Sequence, residues 1–104
     1  MRIYNGFATP EPGGRVVLVN GAELSPRHDL RNHSPDGFSW GYCGSGPAQL
    51  ALAILTDYKG AIFALRNYQH FKAGCIAALP MDEPFTLTGE SIDLWCAEHA
   101  RSPL

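Results

Sequence analysis

The residues with chemistry to offer gather between positions 27 and 47. Arg27, His28, Arg31 and His33 share one short segment, and Cys43-Gly44-Ser45-Gly46-Pro47 follows soon after. A cysteine beside a helix start, with His33 as base, would make a thiolate nucleophile. Cys43-Gly44-Ser45 shares a fragment with the papain-like motif, but the place of that motif's nucleophile is occupied by Gly46 here. Ser45 does not sit at the centre of a G-x-S-x-G elbow. The backbone N–H groups of the Gly44–Pro47 turn could hold a phosphate or a carboxylate, which makes Gly44, Ser45 and Gly46 candidate anion-binding residues. No Gly-Lys-Ser/Thr follows, and the spacing is not G-x-G-x-x-G, so neither nucleotide motif is present. Cys96 and His99 stand at i, i+3 as metal ligands can. Further ligands would have to come from Cys43, Cys75, His28, His33 or His70, and no tight pair offers them. No metal and no cofactor is expected, and the three scattered cysteines read as reduced thiols.

With no complete catalytic pattern, binding becomes the stronger expectation. Arg27, Arg31 and His33 combine with Phe38, Trp40 and Tyr42, the residue types that dominate interface hot spots. These six are the candidate interaction residues. The partner is expected to be a protein of unknown identity. A net charge of −2 disfavours nucleic acid and anionic lipid as partners. Segment 27–33 is locally basic, whereas segment 82–98 holds Asp82, Glu83, Glu90, Asp93 and Glu98 with no base. The charged fraction of 17% is below the ~25% usual for globular chains, so part of the surface must be neutral or apolar. The apolar run Leu50 to Leu55 is far short of the ~20 residues of a membrane helix, and the N-terminus has no apolar leader. A single domain over 1–104, soluble and cytoplasmic, is the expectation.

The elements that must position these residues follow from local pattern. Arg2 to Ala8 and Arg15 to Val19 read as strands. Asn20-Gly21 then signals a type I′ hairpin, with a brief return over 22–24. Segment 25–37 is a long irregular connection that closes on the turn Ser34-Pro35-Asp36-Gly37. Phe38-Ser39-Trp40-Gly41-Tyr42 alternates with period two and predicts a strand. Pro47 looks like the first residue of a helix over 47–59, capped by Gly46 or Ser45 and apolar on nearly every side. A second helix is predicted over 61–79, with Ile62, Leu65, Tyr68, Ile76 and Leu79 on its inner stripe. A third is predicted over 88–99, with Thr88 as N-cap and a Leu87–Ile92 staple. The fold class is therefore α+β: a small antiparallel sheet of three to four strands, the hairpin plus 38–42, packed on three helices.

Three stretches also match a known pattern. His33 to Leu55 reads H-S-P-x-G-F-x-W-G-Y-x-G-S-G-P-A-Q-L-A-L-A-I-L. Tyr68-Gln69-His70-Phe71-Lys72 fits Y-Q-x-F-K, and Leu87-Thr88 with Ile92 and Trp95 fits L-T-x-x-x-I-x-x-W. On these, and on Val17, Val19 and Gly21 of the hairpin, the chain resembles a small family of bacterial, phage and plasmid proteins with no assigned activity. The resemblance spans nearly the whole chain. Relatives tend to carry glycine where Cys43 stands, so it implies no shared role for that thiol. It supplies no activity; a small, mildly acidic domain with no catalytic pattern, similar to phage- and plasmid-borne proteins, fits a non-enzymatic accessory protein that binds other proteins. An inhibitor of a host enzyme or defence complex, such as an anti-CRISPR, would be one form. The alternative is a binding protein or small enzyme for a phosphate-bearing compound at the Gly44–Pro47 helix mouth.

Overall fold

The structure, a computed structural model, describes residues 1–99. Its first elements are the strands β1 (Ile3–Ala8), β2 (Arg15–Val19) and β3 (Ala22–Glu23). The helices α1 (Ser45–Lys59) and α2 (Ala61–Phe71) come next, and a π-helical turn, Lys72–Ile76, extends α2. Strand β4 (Phe85–Thr88) and helix α3 (Gly89–His99) complete the described chain. The sheet is antiparallel with strand order β3-β2-β1-β4, so the class is α+β. Asn20 and Gly21 both take positive φ, 49° and 88°, as the type I′ turn between β2 and β3 requires.

The sheet has one covered face. Tyr4, Val17, Val19 and Phe85 point inward and are buried, together with Gly6. A Cβ on Gly6 would stand 2.2 Å from the Phe85 ring, so only glycine lets that ring lie across β1. Helix α1 runs through the middle of the core. Leu50, Ala51, Leu52, Ala53, Ile54 and Leu55 are all completely inaccessible, as expected of a helix apolar on every side.

Three expectations need correction. Residues 38–42 are not a strand; the fourth strand is β4, whose Phe85 and Leu87 pair with Gly6 and Tyr4 of β1. Gly41 explains why. Its φ of +88° breaks extended geometry, its N–H donates to the Ile76 carbonyl at 3.0 Å, and a Cβ there would lie 2.5 Å from the Met81 backbone. The segment is tied to the π turn and the 80–83 loop instead of to the sheet.

Helix α1 begins at Ser45, with Gly44 as the cap residue in extended conformation and no side-chain cap. Pro47 is therefore its third residue rather than its first.

The long second helix divides at Phe71. The Ala77 N–H reaches back to the Lys72 carbonyl, and this wider turn closes the π segment. Of the expected inner stripe, Tyr68 and Ile76 are buried and Leu65 and Leu79 pack half-buried on the core, so only Ile62 is misplaced. Phe63, Ala64, Asn67, Tyr68 and Phe71 are inside, whereas Ile62 is 68% exposed. Helix α3 starts as expected, with the Thr88 hydroxyl accepting the Ser91 N–H at 3.1 Å.

Candidate interaction surface

The 25–37 connection is irregular but highly ordered, and the residue that orders it is Gln49. This side chain is fully buried in the first turns of α1. Its Nε2 donates to the carbonyls of Pro26 at 2.6 Å and Arg31 at 3.0 Å. Its Oε1 accepts the N–H groups of His33 at 2.8 Å and Ser34 at 3.1 Å. A carboxamide has two donors and two acceptor lone pairs, and here every one is used on the loop backbone. His28 Nε2 donates to the Ser34 carbonyl at 2.9 Å, which cross-braces the same arc. His33 Nε2 and the Tyr68 hydroxyl lie 2.7 Å apart, which fastens the loop to α2.

The candidate residues divide into supports and surface. Arg27 adopts φ +58° and grips Asp29 through Nε and Nη2, both at 3.0 Å; this pairing holds the Asp29 carboxyl below the usual carboxylate range. Arg31 is exposed, as are Asn32, Pro35 and Asp36. His33 is half-buried and acts as a brace from behind. Phe38 packs half-buried on the core. Trp40 is 2% exposed; its Nε1 donates to the Glu83 carbonyl at 2.9 Å and Phe85 meets its ring edge-on at 4.8 Å. The three alternating aromatics thus do not form one platform: Trp40 belongs to the core, and Tyr42 alone is exposed, at 43%.

Close packing accounts for the glycine-rich turn. A Cβ on Gly44 would lie 2.6 Å from the Tyr42 ring, and one on Gly46 would lie 2.7 Å from the Ser39 Cβ. Ser45 is exposed at the helix start, Pro47 has no N–H, and the Ala48 N–H already donates to the Gly44 carbonyl. Cys43 is exposed, with no histidine hydrogen-bonded to it among the described interactions. Cys75 and Cys96 are half-buried; burial and the neighbouring Cys96 thiol push Cys75 up to about 11, and burial raises Cys96. His99 stacks near Trp95 and His70. Among the described residues, no group of three or more His, Cys, Asp or Glu is placed to hold a metal ion.

A second polar cluster stands beside the loop. The Tyr4 hydroxyl donates to Asp57 Oδ2 at 2.6 Å, and Arg2 Nη2 donates to Oδ1 at 2.9 Å. Burial, followed by the bond to Asp57, holds the Tyr4 phenol well above its ordinary range. Between this cluster and the loop lies a cavity of about 130 Å³ lined by Leu24, Ser25, Arg27, Ala53 and Asp57. It is well under the ~300–1,000 Å³ of usual small-molecule sites.

Sequence reasoning overlooked Gln49, Tyr68 and the Tyr4–Asp57 pair. A signal for the first existed: Gln49 is the one polar residue in the otherwise apolar run from Pro47 to Leu55.

These elements define a small two-layer α+β scaffold that displays a braced polar loop. The chain belongs to DUF6166, a family of unknown function, whose model matches residues 4–98, from β1 into the last turn of α3. No curated protein and no solved structure matches it. Among the described residues, no helix is long and apolar enough to cross a membrane.

Proposed function

We propose that this chain works by binding another protein, without chemistry, through the outer side of the 26–37 loop together with Tyr42. One observation carries the reading: the buried Gln49 carboxamide commits all its hydrogen bonds to fixing one surface loop. A loop already held in place loses little conformational freedom on association, so its contacts count more fully toward affinity. Arg31 and Tyr42, both exposed, are of the types that anchor interfaces. An inhibitor of a host enzyme or defence complex, such as an anti-CRISPR, would be one form of such a protein.

The test is affinity capture from native host extract with quantitative mass spectrometry. Arg31→Ala and Tyr42→Ala should each melt like the wild type and capture about tenfold less of the specific partner. Cys43→Ser should capture normally. Equal capture by both alanine variants would sink the assignment of this surface. A metabolite turnover lost in Cys43→Ser or Ser45→Ala, with the fold intact, would replace binding by catalysis.

A further inference from the structure

One face of the sheet is buried at its centre, whereas every strand residue on the other face stays at least partly accessible among the described residues. Strand parity and register define what that bare face carries. Val16 lies opposite Phe7 in one row, and Glu23, Leu18, Asn5 and Thr86 form the next. Ile3 lies opposite Thr88 beyond them. Their inward-facing neighbours Tyr4, Val17, Val19 and Phe85 are buried, whereas Phe7 remains 38% exposed and Ile3, Val16 and Leu18 stay partly accessible. Phe7, Val16 and Leu18 are contiguous, because Val16 and Leu18 are same-face neighbours on β2 and Phe7 is paired with Val16.

We propose that this bare sheet face packs against the same face of a second copy of the chain, giving a two-fold, sandwich-like dimer. Charge argues for a second copy. Of the strand residues only Arg15 and Glu23 are charged, and Arg15 turns inward to lie 5.7 Å from the Trp40 ring centroid and pair with Asp82. Glu23 is then the sole formal charge on the strands' bare face, so the face meets its own copy with little repulsion. A two-fold axis along the strands sets β3 of each copy over β4 of the other. Glu23 then falls opposite the neutral Thr86, and Phe7 falls over Val16, in the aligned packing that stacked sheets adopt.

Size argues that the contact is reversible. The four strands hold 17 residues, each covering ~3.4 Å by ~4.8 Å, and present roughly 280 Å² of flat area per copy. The pair would bury well under about 1,200 Å², the range of weak, concentration-dependent contacts.

Sedimentation velocity from micromolar to millimolar protein tests this. The wild type should shift from monomer to dimer across that range. Phe7→Lys should raise the dissociation constant about tenfold or more while melting like the wild type. Leu18→Lys is the second variant, should Phe7→Lys fail to fold. Ile62→Lys, on the exposed face of α2, and Arg31→Ala, on the loop, should dimerise as the wild type does, which separates this proposal from the loop's role. A wild type that stays monomeric at millimolar concentration overturns the proposal. So does a dimer that persists in both Phe7→Lys and Leu18→Lys, since it would use a sheet edge or a helix face. A monomeric wild type whose partner capture falls in Phe7→Lys also overturns it, in favour of a different protein on that face.

Discussion

At the scale of single residues, Gln49 carries the largest assignable consequence. Replacing it by Leu keeps volume and helix propensity but takes the shared partner from two part-buried carbonyls and two part-buried N–H groups. An unsatisfied buried group costs about 1–3 kcal/mol, and the loop can relax some of them toward water. Gln49→Leu should therefore lose roughly 2–4 kcal/mol in urea unfolding. Amide hydrogen exchange at His33 and Ser34 should accelerate beyond the global change. Unchanged protection at both amides would mean that the loop holds its shape without the carboxamide. Tyr68→Phe should loosen His33 more mildly, because only one hydrogen bond is removed. The contrast within α1 is Thr56, the described residue whose buried hydroxyl has no partner.

At the scale of elements, α1 is the helix around which the rest assembles. Its Leu52 and Ile54 are both completely inaccessible. Truncation of either to Ala removes buried methylenes and leaves a cavity, for an expected loss of ~2–5 kcal/mol. That is a large share of what a small domain has. Wild-type-like melting of both variants would contradict the central position of α1. The same helix shows why the 38–46 segment is rich in glycine. The chain passes close to Met81, the Tyr42 ring and Ser39, and each approach excludes a Cβ. Those glycines serve packing, and between them Trp40 is buried with its Nε1 donating to the Glu83 carbonyl.

At the scale of the molecule, the pH dependence of stability has a definite sign. The Cys75 and Cys96 thiols and the Tyr4 and Tyr58 phenols all hold their protons more tightly in the folded chain. Burial comes first for Cys75, Cys96 and Tyr4, and the bond to Asp93 comes first for Tyr58. Such groups stabilise fully below their unfolded pKa values, and the contribution is lost as pH rises through the folded values. Stability should hold to about pH 8 and then decline, first through the thiols and beyond about pH 10 through the phenols. Urea midpoints measured across that range check this. Cys75→Ala should flatten the early part of the decline and Tyr4→Phe the later part. A midpoint that rises with pH above 9 would refute the assignment.

What the sequence determined by itself was everything set by neighbours along the chain. The hairpin is written in Asn20-Gly21, a pair that readily takes two positive φ values in succession. The burial of α1 is written in its unbroken apolar run, and the start of α3 in the Thr88 hydroxyl. Only the tertiary structure decided the rest. Phe38–Tyr42 alternates like a strand, yet distant partners at Ile76 and Met81 outcompete a sheet position. Phe85–Thr88 alternates just as briefly and becomes a strand because β1 offers it a free edge and a pocket over Gly6. On α2 the expected stripe holds at Leu65 and Tyr68, but Phe63 and not Ile62 is buried at its start. Gln49 read as one polar interruption of a helix until the 26–34 backbone was laid across it. A short segment's own preferences are worth little beside long-range burial and hydrogen bonding, and those depend on which parts of the chain meet.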